Sequence, residues 1–148
     1  MGMNAVRHAL RPDEVMQVAA LPWRRGEAGV EILLITSRET RRWVIPKGWR
    51  MLGKTDAEAA AQEAYEEAGV QGEIAPSEIG HFRYEKRLKS GELKSCVVAT
   101  FPLEVLIQLG AWPEDKQRQR RWMPQTEAAS CVHEADLSAL ILGFYPSH

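Results

Sequence analysis

The sequence predicts a single α/β domain, and three features of the chain support this. A capped helix at about residues 56–68 is the most clearly delimited element. Strand-like apolar runs lie on both sides of it, and two further helical segments follow near the end of the chain. A length of 148 residues suits one domain with its own core. Strands and helices in this order, without an internal repeat, favour one α/β domain.

The other elements follow from apolar periodicity and turn residues. Residues 1–14 are expected to form a flexible leader, and residues 15–148 the domain. Strands are predicted at 15–23, 30–36, 42–45, 74–76, 79–88, 93–106 and 120–123, and helices at 126–131 and 134–142. Ser90 and Gly91 indicate a hairpin turn. Pro102 predicts that the long strand lies at a sheet edge or carries a bulge.

The helix at residues 56–68 carries signals at both ends. Thr55 followed by Glu58 forms a capping box, in which each side chain accepts a hydrogen bond from a backbone N–H group. Gly69 suits a left-handed C-terminal cap. Five alanines share one side of the helix and predict close packing on a sheet: Ala57, Ala60, Ala61, Ala64 and Ala68.

Three glutamates occupy the neighbouring side of the same helix. Glu63, Glu66 and Glu67 fall within an arc of roughly 100°, and Ala59 leaves room beside them. A solvated acidic face is the ordinary explanation, but like-charge pairs at this spacing cost a few tenths of a kcal/mol each. The helix contains no Lys or Arg that would relieve them. The pattern therefore favours a bound divalent cation, which takes oxygen ligands and bridges to phosphate oxygens.

Residues 46–70 resemble the Nudix box, G-x5-E-x7-R-E-U-x-E-E-x-G-U, in which U is a bulky aliphatic residue. The positions that match are Gly48, Glu63, Glu66, Glu67, Gly69 and Val70. The departures are Lys54 for the first Glu, Gln62 for the Arg and Ala64 for the aliphatic residue. The resemblance implies the Nudix fold, a mixed β-sheet sandwiched between helices. Residues 32–38, 42–46 and 120–122 resemble, within that family, the diphosphoinositol polyphosphate phosphohydrolase group, which also hydrolyses diadenosine polyphosphates.

The resemblance also implies an enzyme and roles for its residues. It implies Mg²⁺, with Mn²⁺ as an alternative, bound by Glu63, Glu67 and a backbone carbonyl at Lys47 or Gly48. Glu66 is expected to be the general base or a third ligand, so Glu66 and Glu67 are the expected catalytic residues. The reaction it implies is hydrolysis of a phosphoanhydride.

Basic residues are concentrated in three short stretches. Residues 38–54 contain six Lys or Arg against one acid, residues 83–94 contain five against two, and residues 116–121 contain four against none. Next to a metal site they favour a polyphosphorylated small molecule, because Arg and Lys bind phosphate. The candidates for substrate binding are Arg38, Lys47, Lys86, Arg87 and Arg120. A net charge of −1 argues against general nucleic-acid binding.

Other functions stay open at this point. One keeps the chemistry and changes the substrate to ADP-linked compounds, nucleoside triphosphates or RNA 5′ ends. Another is a Nudix-fold binding module without catalysis, which the departures at Lys54 and Gln62 allow. Glu114 and Asp115, in a later loop, are candidates for a further acid.

Cysteine usage and the apolar stretches predict the location. Cys96 and Cys131 lack metal-binding spacing and indicate reduced thiols in a cytoplasmic protein. The first residues show no apolar signal segment, and residues 96–107, the longest apolar stretch, are too short to span a bilayer. We therefore expect no membrane partner.

Overall fold

Within residues 10–147, which the computed structural model describes, eight strands and three helices form an α/β domain. The strands are β1 (Val15–Gly26), β2 (Gly29–Thr36), β3 (Trp43–Val44), β4 (Lys47–Trp49), β5 (Val70–Ile74), β6 (Gly80–Arg87), β7 (Leu93–Gln108) and β8 (Arg120–Pro124). The helices are α1 (Asp56–Ala68), α2 (Gln125–Cys131) and α3 (Ala135–Leu142).

The strands form one mixed sheet between the helices. Its central path runs β3-β2-β1-β7-β5, with β4 on β1, β6 on β7 and β8 on β2. Only β1 and β7 pair in parallel among the described strands. Helix α1 packs on one face, and α2 and α3 pack on the other. The predicted fold class is confirmed.

Strand β2 shows why its sequence is apolar without alternation. Leu33 and Ile35 belong to the core between the sheet and α1, whereas Ile32 and Leu34 belong to the core beneath α2 and α3. All four side chains are fully buried. A strand covered on both faces needs apolar residues at every position.

Part of the predicted leader belongs to the folded domain. Residues 1–9 lie outside the described residues. Leu10 packs against the α1 side of the core. The Glu14 side chain is 1% exposed, and its Oε2 lies 2.8 Å from Nε of Arg83. Residues 10–14 are therefore held by contacts with the sheet.

Two strand predictions need correction. Residues 47–49, for which no strand was predicted, form β4 and pair with β1, where Val18 lies opposite Gly48. The strand predicted at 74–76 is β5, which starts at Val70 directly after the helix cap. No helix among the described residues is long and apolar enough to cross a membrane.

Pro102 lies in a central strand, so the predicted edge position is wrong. The alternative prediction, a bulge near the end of this strand, agrees with the register shift where Val105 and Ile107 of β7 pair with Gly72 and Gln71 of β5. Pro102 is opposite Leu21 of β1. On the other side of β7, the partner changes from β6 at Thr100 to β5 at Leu103. Proline has no N–H group to donate, so this gap between two partner strands accommodates it.

Helix α1 has the predicted bounds and caps. The Thr55 hydroxyl accepts from the Glu58 N–H at 3.1 Å, and the Glu58 carboxylate accepts from the Thr55 N–H at 2.8 Å. Gly69 has φ of 69°, a left-handed conformation that favours glycine. The alanine face packs on the sheet as predicted, except that Ala61 is only half-buried and Ala59, assigned to the glutamate face, is fully buried.

We expect Thr55→Ala to lower the free energy of unfolding by about 1 kcal/mol, the usual cost of removing such a cap. The measurement is urea denaturation followed by circular dichroism. Thr126→Ala is the matched control, because Thr126 is an exposed residue near the start of α2. Equal effects of the two substitutions would contradict a capping role.

Candidate metal and phosphate site

A cleft with a volume of about 1170 Å³ opens where the β4 edge meets helix α1. Its walls come mainly from β4, α1, β6, residues 37–42 between β2 and β3, the loop between β7 and β8, and residues 133–136 at the start of α3. Its acidic side chains on the α1 side are Glu63, Glu67 and Glu114. Its basic side chains are Arg38, Arg42, Lys47, Arg83, Lys86, Arg87 and Arg118. Four further acidic side chains, Glu39, Glu85, Glu134 and Asp136, lie among these basic ones. The cleft therefore places the α1 carboxylates opposite a mixed surface in which basic side chains outnumber acidic ones.

The predicted metal ligands Glu63 and Glu67 lie together in this cleft, and both are buried. The Lys47 backbone N–H donates to Oε1 of Glu67 at 3.2 Å. The Glu63 carboxylate lies directly over Gly48, where any Cβ would overlap with it. Glycine at position 48 thus allows the carboxylate to approach the backbone that the sequence predicts to supply a carbonyl ligand.

The proximity of the two carboxylates affects their ionisation. Burial, followed by the charge of Glu67, raises the pKa of Glu63 to about 8. Burial also raises the pKa of Glu67, and the opposing charge of Arg118 limits this effect. Near neutral pH the pair therefore holds a proton between its members when no cation is bound.

These donors fit a hard divalent cation. Two carboxylates that lie against the backbone of Lys47 and Gly48 supply oxygen ligands of the kind that Mg²⁺ prefers. Among the described residues, no three Asp, Glu, His or Cys side chains are arranged as a complete metal site. A complete set is not required, because Mg²⁺ usually retains several waters and takes further ligands from substrate phosphates.

The predicted base, Glu66, is adjacent to this pair but differs from it. Its side chain is half-buried and is not among those that line the cleft. Its Oε2 accepts from Nε2 of Gln62 at 2.7 Å. Gln62, which stands at the Arg position of the Nudix box, thus orients Glu66.

Four of the five predicted phosphate-binding residues line the cleft: Arg38, Lys47, Lys86 and Arg87. Nζ of Lys47 lies 4.7 Å from the centroid of the Tyr84 ring, which favours a cation. Burial lowers the pKa of Lys47. Lys54 is exposed outside the cleft.

Arg120 is not brought to the cleft, and its predicted role needs correction. Its guanidinium donates to the carbonyls of Ala68 at 2.9 Å and Leu109 at 2.5 Å. It also lies 3.9 Å from the centroid of the Trp112 ring. Arg120 therefore satisfies carbonyls at the C-terminal end of α1, which have no partner within the helix.

Arg118 was not among the residues predicted for the site, and Glu114 was predicted only as a candidate for a further acid. Both belong to residues 109–119, between β7 and β8, and both line the cleft. The signal was the i,i+4 spacing of Glu114 and Arg118, of which only Arg118 belongs to the basic stretch 116–121. This spacing does not show where the loop folds.

Comparison with known proteins supports the same family. The NUDIX domain model matches residues 14–141. Nudix hydrolase 16, mitochondrial, of Arabidopsis thaliana is 35% identical over 123 residues, which are 80% of this chain and 68% of the relative. Diphosphoinositol polyphosphate phosphohydrolase 3-alpha of Mus musculus is 30% identical over 146 residues, 93% of this chain and 85% of the relative.

Solved structures show the same fold. An Ap4A hydrolase of C. elegans superposes with a TM-score of 0.61 and 22% identity, over 86% of this chain and 93% of that chain. The MutT protein of Methanosarcina mazei Go1 superposes with a TM-score of 0.66 and 19% identity, over 90% of this chain and 94% of that chain. The chain spans only 59% of Nudix hydrolase 13 and 54% of Nudix hydrolase 12 of Arabidopsis thaliana. On this family match and its fold, the chain belongs to the Nudix hydrolases.

Proposed function

We propose that this chain hydrolyses a phosphoanhydride bond in a diphosphoinositol polyphosphate or a diadenosine polyphosphate, with Mg²⁺ or Mn²⁺. The observation that carries the proposal is the cleft itself, where Glu63 and Glu67 share one space with seven Lys and Arg side chains that outnumber the remaining acidic ones. A volume of about 1170 Å³ admits a ligand with several phosphates. Nudix hydrolases generally use divalent metals, which agrees with the acidic pair.

In this proposal the carboxylates of the cleft bind the cation, and its basic side chains bind phosphate. Glu63, Glu67 and the backbone at Gly48 hold the cation, which would lower the pKa of a water and neutralise charge on the phosphates. Arg38, Lys47, Lys86 and Arg87 bind the substrate's other phosphates. The guanidinium groups give bidentate contacts, and the ammonium groups act as point charges.

Glu66 is our candidate for the general base, and Gln62 orients its carboxylate. The alternative role is a third metal ligand. The Glu66→Gln variant distinguishes a general base from a third metal ligand. Loss of a base lowers kcat and leaves Mn²⁺ affinity unchanged, whereas loss of a ligand weakens Mn²⁺ binding.

The two substrate classes are supported by similar proteins. The mouse relative is named a diphosphoinositol polyphosphate phosphohydrolase, and one structural neighbour is named an Ap4A hydrolase. ADP-linked compounds, nucleoside triphosphates and RNA 5′ ends are the competing substrates. A Nudix-fold binding module is the competing class.

The test is a panel of these compounds incubated with the purified chain and Mg²⁺. We expect kcat/KM to be highest for the diphosphoinositol or the diadenosine compound. A higher value for an ADP-linked compound, a nucleoside triphosphate or an RNA 5′ end would contradict the substrate proposal. Binding of the compounds without turnover of any of them would favour a binding module.

We also propose a cytoplasmic location, on the basis of the two free thiols Cys96 and Cys131. Several plant relatives are named mitochondrial, so an organelle is the alternative. Fractionation of cells that express the chain decides between them.

A further inference from the structure

The positive charge that pairs with Glu67 comes from a distant part of the chain. None of the 13 residues of α1 is basic. Arg118 comes instead from residues 109–119, between β7 and β8, and its side chain is only 8% exposed. A guanidinium is rarely buried unless its donors have partners.

The partners of Arg118 fix its guanidinium to the sheet. Nη1 donates to the Thr36 carbonyl at 3.0 Å, at the last residue of β2. The next residue, Gln119, pairs with the same strand end. Its N–H donates to Oγ1 of Thr36 at 2.9 Å, and its carbonyl accepts from the Thr36 N–H at 3.0 Å. Arg118 is thus fixed to the end of β2 in two ways, through its own guanidinium and through the backbone of Gln119.

The other edges of the guanidinium face two carboxylates. Nε of Arg118 lies 2.8 Å from Oε1 of Glu114, and Nη2 lies 3.5 Å from Oε2 of Glu67. The guanidinium is planar and rigid, so it sets the separation and orientation of the groups it contacts. One carboxylate from the loop and one from the helix are thereby placed at the same cleft.

The loop backbone supports this arrangement. The Glu114 N–H donates to the Glu66 carbonyl at 3.1 Å. Nε1 of Trp112 donates to the Glu67 carbonyl at 3.0 Å. The loop is therefore attached to the turn of α1 that carries the acidic residues. Arg118 in addition links the side chains of Glu114 and Glu67.

We propose that Arg118 is a positioning residue, which holds Glu67 and Glu114 in the arrangement that a divalent cation requires at this site. This rests on the proposed function, because it concerns the same cation. Two other roles are possible for a buried guanidinium here. It could be a counterion that the metal displaces, or it could bind a substrate phosphate directly.

The three roles predict different effects of Arg118→Lys, which keeps the charge and loses the planar fork. If Arg118 positions the carboxylates, Mn²⁺ binding without substrate weakens about 10- to 100-fold, as is typical for residues that orient metal ligands. If it is a counterion, Mn²⁺ affinity is unchanged. If it binds substrate, KM rises and Mn²⁺ affinity is unchanged. Either of these last two results overturns the proposal.

The measurement is titration with Mn²⁺ followed by electron paramagnetic resonance, on full-length protein whose fold is checked by circular dichroism. Arg118→Gln distinguishes two of these roles by the direction in which Mn²⁺ affinity changes. Removal of a counterion tightens Mn²⁺ binding, whereas loss of positioning weakens it. Arg24→Lys is the matched control. Its Nε lies 2.7 Å from Oε1 of Glu31, outside the cleft, and we expect wild-type Mn²⁺ affinity.

Glu114→Gln tests the proposal even if the Arg118 variants do not fold. We expect it to weaken Mn²⁺ binding, and unchanged affinity would overturn the proposal. In the Glu114→Gln background, Arg118→Lys should have a smaller effect than in the wild type, because coupled residues are not additive. Since no substrate is present, failure of the proposed hydrolysis and failure of this inference are distinguishable.

Discussion

Replacing Glu67 with Gln is expected to lower kcat/KM by at least about 100-fold on whichever substrate the wild type hydrolyses. Substitution of groups that only support a metal ligand costs about 10- to 100-fold, so loss of a ligand should cost no less. Glu67 is also the point where the Lys47 N–H, Arg118 and Glu63 meet. The measurement is initial rates at saturating Mg²⁺, with Mn²⁺ affinity determined in parallel.

The control for this prediction is Glu73→Gln, which makes the same change at an exposed position on β5. We expect it to leave the rate and the Mn²⁺ affinity unchanged. Glu67→Gln removes one partner of the buried Arg118 but leaves Glu114 as the other, so the fold of this variant is checked by circular dichroism before rates are compared. Activity of Glu67→Gln close to that of the wild type would exclude Glu67 from the catalytic centre.

Helix α1 was predictable because its signals are local. Thr55, Glu58 and Gly69 act on backbone groups within one turn of themselves, so their effects can be read without knowing the rest of the fold. The position of the three glutamates on one side of the helix was predictable in the same way, from helical periodicity. The burial of Ala59 did not follow, because it depends on how α1 is rotated against the sheet, where Ala59 belongs to the core beneath the helix.

Arg118 and Arg120 show what the sequence could not provide. They are two residues apart in one basic stretch, yet Arg118 lines the cleft and Arg120 satisfies carbonyls at the end of α1. The pairing of β8 with β2 determines the direction in which each of these two side chains points. Charge alone therefore predicted a role in the cleft for Arg120, which lies outside it, and not for Arg118, which lines it.

The thermal stability of the metal-free protein is expected to fall as the pH rises from about 5 to about 8. The folded state raises the pKa of Glu63 from 4.5 to about 8, so in this range it binds a proton that the unfolded chain has released. Stability falls with pH wherever the folded state binds more protons. The stabilising effect is complete below about pH 4.5 and is lost as the pH passes about 8. We expect Tm to decrease by a few degrees, measured by scanning calorimetry with a chelator present.

Mg²⁺ should reverse this dependence, since a cation that takes the place of the proton binds more tightly as the carboxylates ionise. The increase in Tm on adding Mg²⁺ should therefore be larger at pH 8 than at pH 5.5. Glu63→Gln should reduce both the pH dependence and the response to Mg²⁺, because it removes the titrating group and a ligand together. Other groups shift stability with pH, but Glu14, whose pKa is lowered by Arg83, acts in the opposite direction and at lower pH. A wild-type Tm that is constant from pH 5 to 8 and indifferent to Mg²⁺ would show that Glu63 and Glu67 do not form a cation site.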